Sequence, residues 1–262
     1  MSSMSGRDDL QKIVVLNPKG GSGKTTLSTN LASIYALRKP PPTLIDCDPQ
    51  GFCARWLEKR APDRPTIHGI EAFRLDDAAR PERLAAAAIA EVPSESRIAI
   101  FDLPAAISLN ELYAYTHFAD SILIPIVPSE IDVHSAAQLV SELLLDVQLD
   151  RRDRKLAIVA NRVRTNTKSY QMLKRFLSSL RIPVISALRD SQSYVQAAGD
   201  GLGICDLPPH RVRDDIVCWK AILSWLDEWQ SRRLETEIAA EFEKLTPVSS
   251  EDHPSRPHER AH

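Results

Sequence analysis

The chain has 262 residues, of which 43% are hydrophobic and 26% charged, enough apolar surface for one large globular unit and too much for a mainly disordered chain. A net charge of −2 excludes a chain-wide basic character, so any contact with nucleic acid must come from local clustering of charge. Cys47, Cys53, Cys205 and Cys218 show no C-x-x-C spacing and read as reduced thiols rather than metal ligands, and no apolar run or amino-terminal core suits a membrane span or a signal, so a cytoplasmic protein is expected.

Residues 1–11 are Ser- and Asp-containing and are expected to be a flexible amino terminus. Lys12–Leu16 (KIVVL) is a short β-branched run, followed by a glycine-rich turn and by helical apolar spacing over Lys24–Leu37. Pro40–Pro42 end that helix, and Thr43–Ile45 form a second short strand leading into Asp46. Between Arg55 and Glu95 the chain is Ala- and Arg-rich, and Pro62, Pro65, Pro81 and Pro93 divide it into short helical pieces without evident chemistry. Arg97–Phe101 (RIAIF) delivers Asp102, and Ser121–Val127 and Leu156–Ala160 are two further apolar runs. Apolar strands separated by helical segments predict an α/β fold, a mainly parallel twisted sheet with helices on both faces. A last helix from about Asp214 to Phe242 carries Val217, Trp219, Ile222, Leu223, Trp225 and Leu226, a face for packing on the sheet. One domain over 12–245 is expected, with a disordered polar tail over 246–262.

The phosphate-loop pattern G-x-x-x-x-G-K-[ST] fails at its first position, where Pro18 stands five residues before Gly23. The rest is present between a strand and a helix, as the motif requires. Gly20, Gly21 and Gly23 let the backbone curl with N–H groups facing a phosphate, and the start of the Lys24 helix adds unpaired N–H groups. Lys24 supplies a point charge for the β- and γ-phosphates, and the Thr25 hydroxyl is the expected Mg²⁺ ligand.

Lys19-Gly20-Gly21-Ser22-Gly23-Lys24-Thr25-Thr26 resembles the KGGxGKTT signature of the ParA/MinD group of deviant P-loop ATPases. The resemblance runs from about Lys12 to Leu226 with the motifs in the family's order. It implies ATP and Mg²⁺ as ligands, all eight residues of the signature as the nucleotide loop, and Lys19 as the extra lysine that reaches the partner's phosphates in an ATP-sandwich homodimer. Asp46-Cys47-Asp48-Pro49-Gln50 resembles the family's D-x-D-P-Q step, which implies that Asp48 activates the attacking water and Asp46 supports the Mg²⁺ shell. Period two places both aspartates on the same side of an extended segment. Asp102 is similar to the Walker B aspartate, although Leu103-Pro104-Ala105-Ala106 departs from the commoner sequence after it. Asn161 resembles the family's adenine-binding asparagine, an amide offering both donor and acceptor, and Pro208 is a second contact for the base.

From Arg154 to Arg189 there are nine basic residues and no acidic one. Arg211, Arg213 and Lys220 follow, partly offset by Asp214 and Asp215. In ParA-like proteins the ATP dimer binds DNA without sequence preference, and Arg189, Arg211, Arg213 and Lys220 are the candidate contacts, releasing counterions from the phosphates. A solvated basic face is the plainer reading of the same charges. The MinD-like alternative needs a basic amphipathic helix at the carboxy end. Leu234–Leu245 carries four glutamates and one lysine, which anionic lipid would repel, so no membrane insertion is expected. A dethiobiotin-synthetase-like small-molecule enzyme shares the fold and a P-loop, but Lys19 and the D-P-Q step argue against it. An iron-sulfur carrier of the same superfamily needs clustered cysteines at a dimer interface, which the cysteine spacing here does not support. The expected protein is thus a slow ATPase lacking an amino-terminal helix-turn-helix, nucleoid-associated, and stimulated by a ParB-like or cargo-adaptor partner.

Overall fold

The β-branched run at the amino end forms strand β1 (Gln11–Val15), and in the computed structural model six more strands join it. They are β2 (Thr43–Asp46), β3 (His68–Glu71), β4 (Ile98–Asp102), β5 (Ser121–Ile126), β6 (Leu156–Val163) and β7 (Val184–Arg189). The structure describes residues 7–75, 81–150, 155–180, 182–235 and 238. Strand order is β3-β2-β4-β1-β5-β6-β7, and all six pairings are parallel. Parallel neighbours need crossovers, and these are helices α1 (Lys24–Ala36), α2 (Phe52–Lys59), α3 (Pro81–Ala90), α4 (Leu109–Phe118), α5 (Glu130–Ser141) and α6 (Lys168–Leu180), with α7 (Gln192–Gly199) and α8 (Pro209–Asp227) following β7. Ser108, Ser129 and Ser191 start α4, α5 and α7 by accepting backbone N–H groups.

Period two along each strand divides the core between the two faces. Ile13 and Val15 of β1 point to the side where Leu27, Leu31, Trp56, Trp219, Ile222 and Leu226 from α1, α2 and α8 pack. Val14 points to the other, with Ala85, Leu112, Leu139 and Leu173 from α3, α4, α5 and α6. All four residues of β2 and all six of β5 are buried, as expected of central strands covered on both sides.

The structure corrects the sequence reading in four places. Strand β3 lies in the segment expected to be only short helical pieces, and β7 was not anticipated; both are half-exposed edge strands without a continuous apolar run. The last helix begins at Pro209 rather than Asp214, with proline pre-set for a first turn, and stops at Asp227. After a turn at Glu228 the chain is helical again over 229–235, and Arg232 of that segment donates to the Trp225 carbonyl near the end of α8 and lies 4.0 Å over its ring. Residues 7–11, expected to be flexible, are tied down: Leu10 is fully buried, and Arg7 donates to the carbonyls of Val92, Pro93, Ser94 and Ser96. The expected tail over 246–262 and residues 1–6 lie outside the described residues.

Candidate functional site

The loop after β1 is anchored before its glycines begin. Asn17, buried, donates to the Pro125 carbonyl at 2.7 Å and accepts from the Lys19 N–H at 2.8 Å, fixing the loop to β5. Gly21 and Gly23 hold φ of 78° and 96°, which a side chain would resist. A Cβ on Gly23 would also stand 2.0 Å from Asn161 Nδ2, so only glycine allows Asn161 to reach the Ser22 carbonyl at 2.9 Å. Helix α1 then starts at Gly23 without a side-chain cap, leaving its first N–H groups for a ligand. The Ser22 hydroxyl is buried and, among the described residues, has no hydrogen-bond partner. Lys24 is buried and donates to the carbonyls of Asn17 and Lys19 at 3.0 and 3.5 Å. Burial lowers its pKa, and Asp102 and Asp48 partly restore it.

Strand register brings the carboxylates beside this loop. Asp102 is level with Val15 of β1 and with Asp46 of β2, so both aspartates leave the sheet at the same edge. Asp102 Oδ2 accepts the Thr25 hydroxyl at 2.8 Å and the Cys53 thiol at 3.2 Å, and Oδ1 accepts the Ser28 hydroxyl at 2.9 Å. Asp46 turns toward α2 and accepts the N–H groups of Asp48 and Ala54 at 3.1 and 3.0 Å. Asp48 is half-buried and accepts the Gln50 N–H at 2.9 Å in a tight turn. Burial raises the pKa of Asp46, partly offset by its backbone N–H donors. Burial likewise pushes Asp102 up to about 6, against the lowering effect of Thr25, Ser28 and Cys53.

For an acid with a raised pKa the folded state holds the proton more tightly than the unfolded chain. Ionising Asp102 therefore costs stability above pH 6, and the cost is relieved as pH falls from about 6 toward the ordinary value of 3.8. In chelator-containing buffer, the melting temperature of the wild type should rise relative to that of Asp102→Asn between pH 7.5 and 5. A difference that stays constant over this range would contradict the assignment.

A cleft of about 820 Å³ opens over the loop. Gly20, Gly21, Gly23, Lys24, Thr25, Thr26, Asp48 and Asn161 line it together. Its far wall adds Phe52, Arg55 and Trp56 of α2 and Gln192, Tyr194 and Val195 of α7. Ser22, Asp46 and Asp102 lie beneath that lining. Asn161 uses one N–H on Ser22 and one lone pair on the Arg162 N–H, leaving a second of each for a base. Pro208 stands at the start of α8, outside the lining. Lys19 is not part of the cleft lining and is ion-paired with Asp132, a buried carboxylate in the first turn of α5 that also accepts the Ser129 hydroxyl.

The anticipated DNA contacts are not equivalent. Arg189 lines the cleft and is ion-paired with buried Asp215 at 2.7 Å and with Asp214 at 3.4 Å, which raises its pKa. Arg211 donates to Gln196 at 2.5 Å. Arg213 and Lys220 are exposed and one α8 face apart by seven residues. Of the earlier basic run, Arg162 and Arg164 are both drawn to Asp190. Lys168, Lys174 and Arg175 are exposed on α6. Sequence reasoning missed Asn17, Ser28, Cys53 and Asp132. Ser28 alone carried a signal, one helical turn after Lys24.

An inward-curling glycine loop, an uncapped helix start, a buried lysine and a Thr–Asp pair at the strand ends define a P-loop nucleotide-binding protein. Hard oxygen donors at Thr25 and Asp102 and the orphaned Ser22 hydroxyl suit a magnesium-bound phosphate chain. Residues 13–204 match the family described as the CobQ/CobB/MinD/ParA nucleotide binding domain. The "Maintenance of carboxysome distribution protein A" of Gloeobacter kilaueensis is 27% identical over 221 residues, 83% of this chain and 95% of that protein. The "Chromosome-partitioning ATPase Soj" of Thermus thermophilus is 28% identical over 160 residues, 52% of this chain and 63% of its own. The ATP complex of an McdA variant from Cyanothece superposes with a TM-score of 0.62 at 17% identity, covering 82% of this chain and 96% of that one, which shows the shared fold. The chain belongs to the CobQ/CobB/MinD/ParA nucleotide-binding family, with the site of a ParA/MinD-type P-loop ATPase. Among the described residues no helix is long and apolar enough to cross a membrane.

Proposed function

We propose that the chain is a ParA-like switch: an ATP-sandwich homodimer that binds DNA without sequence preference and positions a cargo, with slow hydrolysis stimulated by a partner protein. The observation that carries this reading is Lys19. A loop lysine serving only its own nucleotide would lie in its own cleft, whereas this one is held outside it on Asp132. It is half-exposed at the rim, and a second subunit's phosphates are the partner that would draw it from that carboxylate. In this reading Lys24 and the loop N–H groups hold the β- and γ-phosphates. Thr25 and Asp102 would hold Mg²⁺, with Asp46 behind them, and Asp48 would orient the attacking water. Asn161 meets the base with its remaining donor and acceptor, and Pro208 takes no part unless the α8 start moves. Bound Mg²⁺ supplies charge neutralisation of the phosphate oxygens.

Relatives named for carboxysome distribution and for chromosome partitioning support a cargo-positioning role. The cargo adaptor or ParB-like partner and a cytoplasmic, nucleoid-associated location belong to the same proposal. Arg213, Lys220 and the exposed basic residues of α6 are the better candidates for DNA phosphates, because Arg189 is already paired. Purified protein should retain unrelated DNA duplexes with ATP and not without it. Raising salt from roughly 50 to 200 mM should weaken that binding by at least about tenfold. Equal retention with and without ATP, or binding to anionic vesicles alone, would overturn the DNA reading in favour of a membrane-cycling switch.

A further inference from the structure

The proposed cycle leaves one buried contact of the metal aspartate unused. Cys53, in the first turn of α2, is fully buried, and its thiol donates to Asp102 Oδ2 at 3.2 Å. The same oxygen accepts the Thr25 hydroxyl, while Ser28 occupies the other oxygen. One atom each from Asp46, Cys53 and Asp102 lie within 4.8 Å of one another, so the thiol belongs to the acidic floor of the site.

Helix α2 is also the continuation of the Asp48 loop. The Gly51 N–H donates to the Asp48 carbonyl at 2.8 Å, the Arg55 N–H to the Gly51 carbonyl at 3.1 Å, and the Ala54 N–H to Asp46 at 3.0 Å. The thiol is thus a side-chain tie from this helix to Asp102, across 49 residues of sequence. Were the Thr25 hydroxyl to serve a metal ion, Asp102 would still have two donors to hold its plane, Ser28 from α1 and Cys53 from α2. Groups that orient a metal-holding carboxylate in this way commonly set metal affinity.

We propose that Cys53 is a positioning residue for Mg²⁺: its thiol holds the Asp102 carboxylate in the metal-ready orientation and couples it to the helix that carries the Asp48 loop. This rests on reading the cleft as a Mg²⁺–ATP site. The competing role for a buried cysteine is that of a small hydrophobic filler. Three substitutions separate the two. Cys53→Ser keeps a donor, Cys53→Val fills the space without one, and Cys53→Ala removes both.

The test is a Mg²⁺ titration of fluorescent ATP-analogue binding to the full chain, with melting temperatures recorded for each variant. Cys53→Ala and Cys53→Val should raise the half-saturating Mg²⁺ concentration roughly tenfold, with analogue affinity in chelator unchanged. Cys53→Ser should stay within about threefold of wild type on the same principle. A Cys53→Val protein with wild-type Mg²⁺ dependence, or a Cys53→Ser protein matching Cys53→Ala, overturns the proposal while the nucleotide site stands. A wild-type protein whose analogue binding ignores Mg²⁺ overturns the site reading and the proposal together.

Discussion

Lys24→Ala should lose ATP binding by at least about a hundredfold, because the change removes the one cation buried within the phosphate loop. Among the described residues the side chain donates to the carbonyls of Asn17 and Lys19, and its burial already disfavours the charge. Removing it therefore relieves a desolvation cost as it breaks two hydrogen bonds, and the melting temperature should change by no more than a few degrees. Calorimetric titration with Mg²⁺–ATP, alongside a thermal melt, separates a lost ligand contact from a lost fold. ATP affinity within a few-fold of wild type would mean that the phosphates are held by the loop N–H groups alone. The predicted charge role of Lys24 would then be wrong.

Asp48→Ala should bind ATP nearly normally and turn it over about a hundredfold or more slowly, the usual range for a lost general base. If the homodimer proposal holds, light scattering should show ATP-loaded dimers accumulating, since hydrolysis is the step that releases them. Asp48 has a second role that must be separated from the first, because its carboxylate also accepts the Gln50 N–H and shapes the turn into α2. Asp48→Asn keeps an oxygen for that turn and loses the base. Both variants should stall. A slow Asp48→Ala beside a normal Asp48→Asn would show that the turn, not proton transfer, is what the residue provides, and normal turnover in both would remove Asp48 from the chemistry.

The parts of the site that could be read in advance are contiguous in the chain. The glycines, Lys24 and Thr25 carry their chemistry in the spacing of the loop, whereas the roles of Lys19 and of the D-x-D-P-Q step are implied by the family resemblance. The strand or helix that presents each one announces itself by hydrophobic periodicity on either side. Central strands were legible for the same reason, since burial on both faces demands an unbroken apolar run. β3 and β7 escaped because an edge strand is buried on fewer sides; His68–Glu71 contains a single large aliphatic residue, Ile70. The continuous last helix was an over-extension of a good pattern. Periodicity cannot foresee the turn at Glu228 that ends the run at Asp227, where Arg232 meets the Trp225 carbonyl.

Charge was the least legible property, since whether a basic residue is available depends on what the fold places beside it. Arg189 looked like a surface contact until β7 and α8 set Asp215, 26 residues on, within 2.7 Å of it. Arg162 and Arg164 converge on the single carboxylate of Asp190 in the same way, so three of the nine basic residues of that run are already paired within the chain.

By itself the sequence determined that the chain folds as a wound parallel sheet, that a glycine loop carrying Lys24 and Thr25 joins a strand to a helix, and that Asp46 and Asp102 end strands, with Asp48 just past the first of them. Only the tertiary structure decided what those groups are tied to: Lys19 to Asp132 across 113 residues, and Cys53 to Asp102 across 49. The reason is physical. A motif's local shape is set by neighbours within a turn or two, whereas pairing between loops is set by strand order and register, which helical crossovers fix only once the whole sheet has assembled.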